Sequence, residues 1–212
     1  VNGYETVWHA YQMNVPSGGH VRLAAEVCAA ALRPQLDEDW AISVPDLDFT
    51  VSSVLAHASL GPLWYALDAW GGLEDSSAFE LSVRADAAPH AVLNGLIQAG
   101  MVCAGALDAA PPDLRGFHPA GSPDPSGFAA MACDEMLIHT DDALRGLGSR
   151  LDPPRPLAEA VLARLFPWHE PGADPWSTLL WANGRPTDLD RPPVGKWQWH
   201  CAPLSEWSGS MP

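Results

Sequence analysis

The sequence predicts a mainly α fold, a four-helix bundle over residues 1–150 followed by a small mixed α+β lobe over residues 151–212. Three observations lead there. Four long stretches carry apolar residues at helical spacing, and runs rich in proline and glycine separate them. After Gly148 the chain changes character, as Pro153, Pro154 and Pro156 introduce a part dense in tryptophan.

In the first stretch, over 20–36, Val21, Leu23, Ala24, Val27, Cys28, Ala31 and Leu32 line one helical face behind the Ser17-Gly18-Gly19 break. Upstream, residues 4–13 read as a short helix or an ordered arm. Thr50 is a good N-cap for the second helix, whose face of Val51, Val54, Leu55, Ala58 and Leu63 accompanies His57. Gly61-Pro62 is expected to bend or break that helix, with residues 63–70 continuing its direction. The third helix spans 87–107 on Val92, Leu93, Leu96, Ile97, Val102 and Cys103, and Gly95, Gly100 and Gly105 offer close packing. Residues 111–125 read as a long surface connection. The fourth helix begins at Ser126, carries Glu135 and His139, and closes at Gly146 and Gly148. In the C-terminal part, 157–166 and 176–183 read as helices. Two segments, 79–84 and 196–200, alternate apolar and polar residues and are expected to be short strands.

Composition bounds the function. The chain has 212 residues, 47% hydrophobic and 17% charged, enough for a real core, while 21 prolines imply many breaks between elements. With 11 Lys and Arg against 26 Asp and Glu, the net charge of −15 argues against nucleic acid or an anionic membrane as partner. An anionic substrate needs a local basic spot. The sequence shows neither a signal-peptide pattern nor an uninterrupted apolar run near the ~20 residues of a membrane span, so a cytoplasmic enzyme or binding protein is expected. Cys28, Cys103, Cys133 and Cys201 form no C-x-x-C pair and read as reduced, buried small hydrophobes.

The candidate chemistry lies in Glu135 and His139. Four residues apart on a helix, they share a face and can reach one cation. His57, on a helix able to pack against theirs, is the third candidate, since bundle cores build metal centres from side chains on facing helices. Imidazole nitrogen and carboxylate oxygen suit a borderline divalent ion, zinc above all, and three protein ligands leave an open position. Arg185 is the candidate for fixing a substrate carboxylate in so acidic a chain, or else an Arg that meets solvent after a helix-ending glycine. Asp142, three residues past His139, orients that ring or is a solvated acid.

At these residues the chain resembles the DinB-like metalloprotein superfamily, and within it the mycothiol-dependent maleylpyruvate isomerase branch. Phe49-Thr50-Val51 through Leu55-Ala56-His57 looks like the family helix entered by a Trp-Thr-Val-like sequence and ending in a metal histidine. Glu135, His139 and Asp142 match its E-x-x-x-H-x-x-D helix. Trp176 to Arg185 is similar to the Leu-Leu-Trp and Gly-Arg segment of actinobacterial members. Phe49 stands where the family usually has Trp, and Ser52-Ser53 replaces its common polar pair. The resemblance implies a metal-dependent transferase that uses mycothiol on a small electrophile, by conjugation, exchange or thiol-assisted isomerisation. A metal-dependent hydrolase, or a non-catalytic metal or small-molecule binding protein, are the alternatives.

Overall fold

The computed structural model describes residues 15–75, 78–170, 172–195 and 197–211, so the helix or arm expected over 4–13 lies outside the described residues. Among the described residues six α-helices follow one another: α1 (Gly18–Leu32), α2 (Val51–Gly71), α3 (Pro89–Asp108), α4 (Pro125–Gly146), α5 (Arg155–Leu165) and α6 (Pro175–Ala182). Short 3-10 turns extend α1 over Arg33–Gln35 and lie at Leu204–Glu206.

Local chemistry sets these boundaries. Thr50 Oγ1 accepts from the Ser53 N–H while Ser53 Oγ accepts from the Thr50 N–H, a reciprocal cap that starts α2. Asp124 caps α4 and Asp174 caps α6, each through backbone N–H groups of the first turn. Proline occupies the first turn of α3, α4, α5 and α6, where the missing N–H has no intrahelical partner to lose. Many of the proline-rich breaks are therefore helix starts. Gly61-Pro62 does not interrupt α2, which runs unbroken to Gly71 with Pro62 buried inside it.

Helices α1 to α4 form the bundle. Both α1 and α2 pack against both α3 and α4, so α1 and α2 stand on one diagonal and α3 and α4 on the other. The two helices with candidate ligands are thus neighbours. Gly100 makes the close approach possible on α3: a Cβ there would lie 3.0 Å from Ala25 Cβ on α1 and 3.1 Å from Met136 Sδ on α4. By composition α3 is also long and apolar enough to cross a membrane, but here Val92, Leu93, Leu96 and Cys103 are buried in the bundle core. That core is one cluster, from Val21 and Leu55 through Phe128 and Met136 to Leu162 and Leu179.

The C-terminal part is not mixed α+β. No strand occurs among the described residues; α5 packs on α4, α6 packs on α5, and the rest is irregular chain. The described part of the expected 196–200 strand is extended without a ladder. Instead, the His200 N–H donates to the Leu165 carbonyl and the buried Arg164 donates to the His200 and Cys201 carbonyls, binding the tail to the end of α5. The other expected strand, 79–84, is likewise assigned to no β-ladder, and its Phe79 and Leu81 lie over the groove between α2 and α3.

Candidate metal centre

Four-residue steps on α2 place His57, Gly61 and Tyr65 on one face, and that face meets Glu135 of α4. His57 Nε2 stands 3.8 Å from Glu135 Oε2, and His139 Nε2 stands 3.3 Å from the same oxygen. The two imidazoles meet edge to face, centroids 5.0 Å apart. One ligand atom from each residue lies within 4.8 Å of the other two. A tetrahedral ion with bonds of about 2.1 Å holds its donors about 3.4 Å apart, so two separations nearly fit. The third, also within 4.8 Å, belongs to His57, whose side chain is 60% exposed.

Two features test whether these residues suit a cation. Glu135 Oε2 is buried, and no donor meets it in good hydrogen-bond geometry, the His139 and His57 ring nitrogens standing 3.3 and 3.8 Å away, whereas the other oxygen, Oε1, accepts from the Tyr65 hydroxyl at 3.2 Å. A buried carboxylate oxygen without a donor is costly, and a bound cation would satisfy it. Room for Glu135 comes from Gly61, where a Cβ would press on Glu135 Cγ at 3.1 Å. The donor set fits a divalent ion.

Asp142 takes the first of its two expected places, behind the His139 ring. It is not a solvated acid: its side chain is 0% exposed, and its Oδ2 lies 3.1 Å from His139 Nδ1. That contact orients the ring so that Nε2 faces Glu135, the usual arrangement behind a metal-binding histidine. Arg185 sits on the far side of Asp142, donating from Nε at 3.1 Å and Nη2 at 2.6 Å, while Nη1 donates to the Asn183 carbonyl. Its guanidinium also lines the cleft, so part of the fork holds Asp142 and the remaining N–H groups are left for other partners.

The electrostatics favour a positive charge between the two carboxylates. Burial pushes the His139 imidazole down, but the Asp142 and Glu135 carboxylates against its two ring nitrogens outweigh it and lift the pKa to about 9. Burial raises the Glu135 carboxyl, yet His139, His57 and Tyr65 reverse this and hold it below its ordinary value. Asp142 is likewise held low, with burial opposed by His139 and Arg185. A proton on His139 can therefore exchange with a cation bound at the same place. The cysteines stand apart, all four buried, with Cys28 and Cys103 pushed up to about 12 by burial. They are protonated thiols.

A cleft of about 340 Å³ opens on the ligands, walled by Ile138, Asn183, Arg185, Trp197 and Trp199. Asn183 joins its two sides, since its amide donates to Asp134 Oδ1 at 2.9 Å and accepts from Trp197 Nε1 at 3.0 Å. Trp197 and Trp199 meet edge to face at 4.8 Å. Sequence spacing brought out Glu135 and His139, and the expectation of facing helices brought out His57. It missed Tyr65 and Gly61, although both fall at four-residue steps from His57, and Asn183, for which no local signal exists. Comparison with protein-family models, with curated proteins and with solved structures returned no match.

Proposed function

We propose that this protein is a metal-dependent transferase that uses a low-molecular-weight thiol, mycothiol by the resemblance of its motifs, on a small electrophile. The convergence of three ligand side chains, with an open cleft on their free side, carries this reading. His57, Glu135 and His139 would hold the ion, zinc by donor type. When bound, such an ion acts as a Lewis acid that favours the thiolate of a thiol otherwise mostly protonated near neutral pH.

The protein's own residues do the rest. Asp142 fixes the His139 ring, and Arg185 fixes Asp142 while offering its remaining N–H groups to an acidic group on the electrophile. Trp197 and Trp199 cover the site and limit water, and Asn183 holds Trp197 in place. Tyr65 keeps its proton, because burial and then Glu135 push its pKa well up, so it remains a donor to Glu135.

The test is turnover by the zinc-loaded protein with mycothiol and a panel of activated alkenes, epoxides and thioesters, each run with and without the thiol. Thiol-dependent product that disappears in His139→Ala supports the reading. Thiol-independent hydrolysis of the same compounds replaces it with a hydrolase, and no turnover across the panel leaves a binding protein.

A further inference from the structure

A second cavity, of about 680 Å³, shares none of its lining residues with the metal cleft. It lies between the later turns of α2, the second half of α3 and the extended segment around residues 79–81. That volume falls within the range of small-molecule sites, roughly 300–1,000 Å³. Its walls are apolar and aromatic: Leu67 and Trp70 from α2, Val102 from α3, Phe79 and Leu81 from the extended segment, and Phe117 from the connection to α4. Trp70, Phe79 and Val102 are 53%, 61% and 56% exposed, a cluster of large apolar side chains rather than scattered single ones.

The polar complement has one sign. Asp68, Glu74 and Asp75 line the same cavity, and none of its described lining residues is Lys, Arg or His. Trp70 is fixed across the helix pair by its Nε1 hydrogen bond to the Ala106 carbonyl, so an aromatic ring stands ready beside the carboxylates. Aromatic faces attract cations through their quadrupole, and carboxylates attract them by charge; the two together select an ammonium on an apolar body. From this combination we propose that the cavity between α2 and α3 binds a small lipophilic ammonium, with the apolar part against Leu67, Phe79 and Val102 and the cationic head toward Asp68. Independently of that geometry, burial and then the neighbouring Asp75 push the Asp68 carboxyl up to about 6, the condition of a carboxylate that gains from a nearby cation.

The experiment titrates the full chain with 2-phenylethylammonium, 2-phenylethanol and phenylacetate, which share a ring and differ in charge, and follows tryptophan fluorescence and calorimetric heat. The ammonium is expected to bind about tenfold or more tighter than the alcohol, with phenylacetate weakest, as a charge-assisted contact implies. Asp68→Asn should erase most of that preference, and Val102→Trp, a substitution at an exposed position, should block all three probes. His57→Ala should leave the affinities unchanged, placing the binding outside the metal cleft. Equal affinity for ammonium and alcohol overturns the proposal, as does a preference that survives Asp68→Asn. Concentration-dependent dimerisation abolished by Val102→Trp would also overturn it, by assigning the face to a second copy of the chain.

Discussion

Asp142 accepts from His139 on one side and from Arg185 on the other, and Arg145 Nη1 stands 3.6 Å from its second oxygen. A carboxylate taken wholly out of water needs such company, because its desolvation costs several kcal/mol before any partner is counted. The consequence for the candidate metal centre is directional. Losing the negative charge at residue 142 frees the His139 ring to turn and makes its nitrogen a poorer donor, which typically costs about 10–100-fold in metal affinity. Asp142→Asn should therefore lower zinc affinity by that factor while α4 keeps its helicity, as read by chelator competition and circular dichroism. Unchanged affinity would give Asp142 a purely structural role. At this scale the sequence displayed Glu135 and His139, because a spacing of four on a helix fixes a shared face. It could not display the state of Asp142. A spacing of three guarantees no contact, and the compensating charge arrives from Arg185, 43 residues further on.

Helices and connections were legible to the extent that their signals were local. Periodicity marked each of the six described helices, and Thr50 marked the start of α2. The two expected strands failed for a shared reason: alternation reports that successive side chains face opposite ways, not that a neighbouring strand exists. Phe79 and Leu81 turn together toward the α2/α3 groove, and Trp197 and Trp199 turn together toward the metal cleft, each from an extended segment laid on helices. What holds the second segment is Arg164, buried and bonded to Asp124, Ser126 and two tail carbonyls. Burial raises the Asp124 carboxyl, but Arg164 and the cap hydrogen bonds outweigh this and hold it below its ordinary value of 3.8. A carboxyl with a depressed pKa contributes stability that is complete above that ordinary value and is lost as pH falls through the depressed one. Asp124→Asn leaves Arg164 a buried unpaired charge and should cost about 3 kcal/mol at pH 7. In denaturant titrations the gap from the unsubstituted protein should narrow toward pH 3, whereas a gap constant with pH would mean that the cap, not the charge, is what matters.

Across the whole molecule, the candidate ligands come from α2 and α4, neighbours in the bundle although these residues lie far apart in sequence. Which helices adjoin is a long-range fact of packing that periodicity does not encode; the way bundle cores draw ligands from facing helices, together with the match to a known motif order, suggested that His57 belongs with Glu135 and His139. An ion held by both helices binds the folded chain and not the unfolded one, so it stabilises the fold by mass action. At a free zinc concentration about 100 times the Kd, the gain is about 2.7 kcal/mol, or roughly 5–10 °C in Tm for a chain of this size. Zinc should therefore raise Tm by that amount, a chelator should reverse the shift, and His139→Ala should remove most of it. Because the chain carries a net charge of −15, any divalent cation screens some self-repulsion, and magnesium at the same concentration is the control. Magnesium prefers oxygen donors and holds its water tightly, so a centre with two imidazoles should respond to it weakly. Equal shifts from the two ions would reduce the effect to general charge screening and remove the bundle-spanning metal centre.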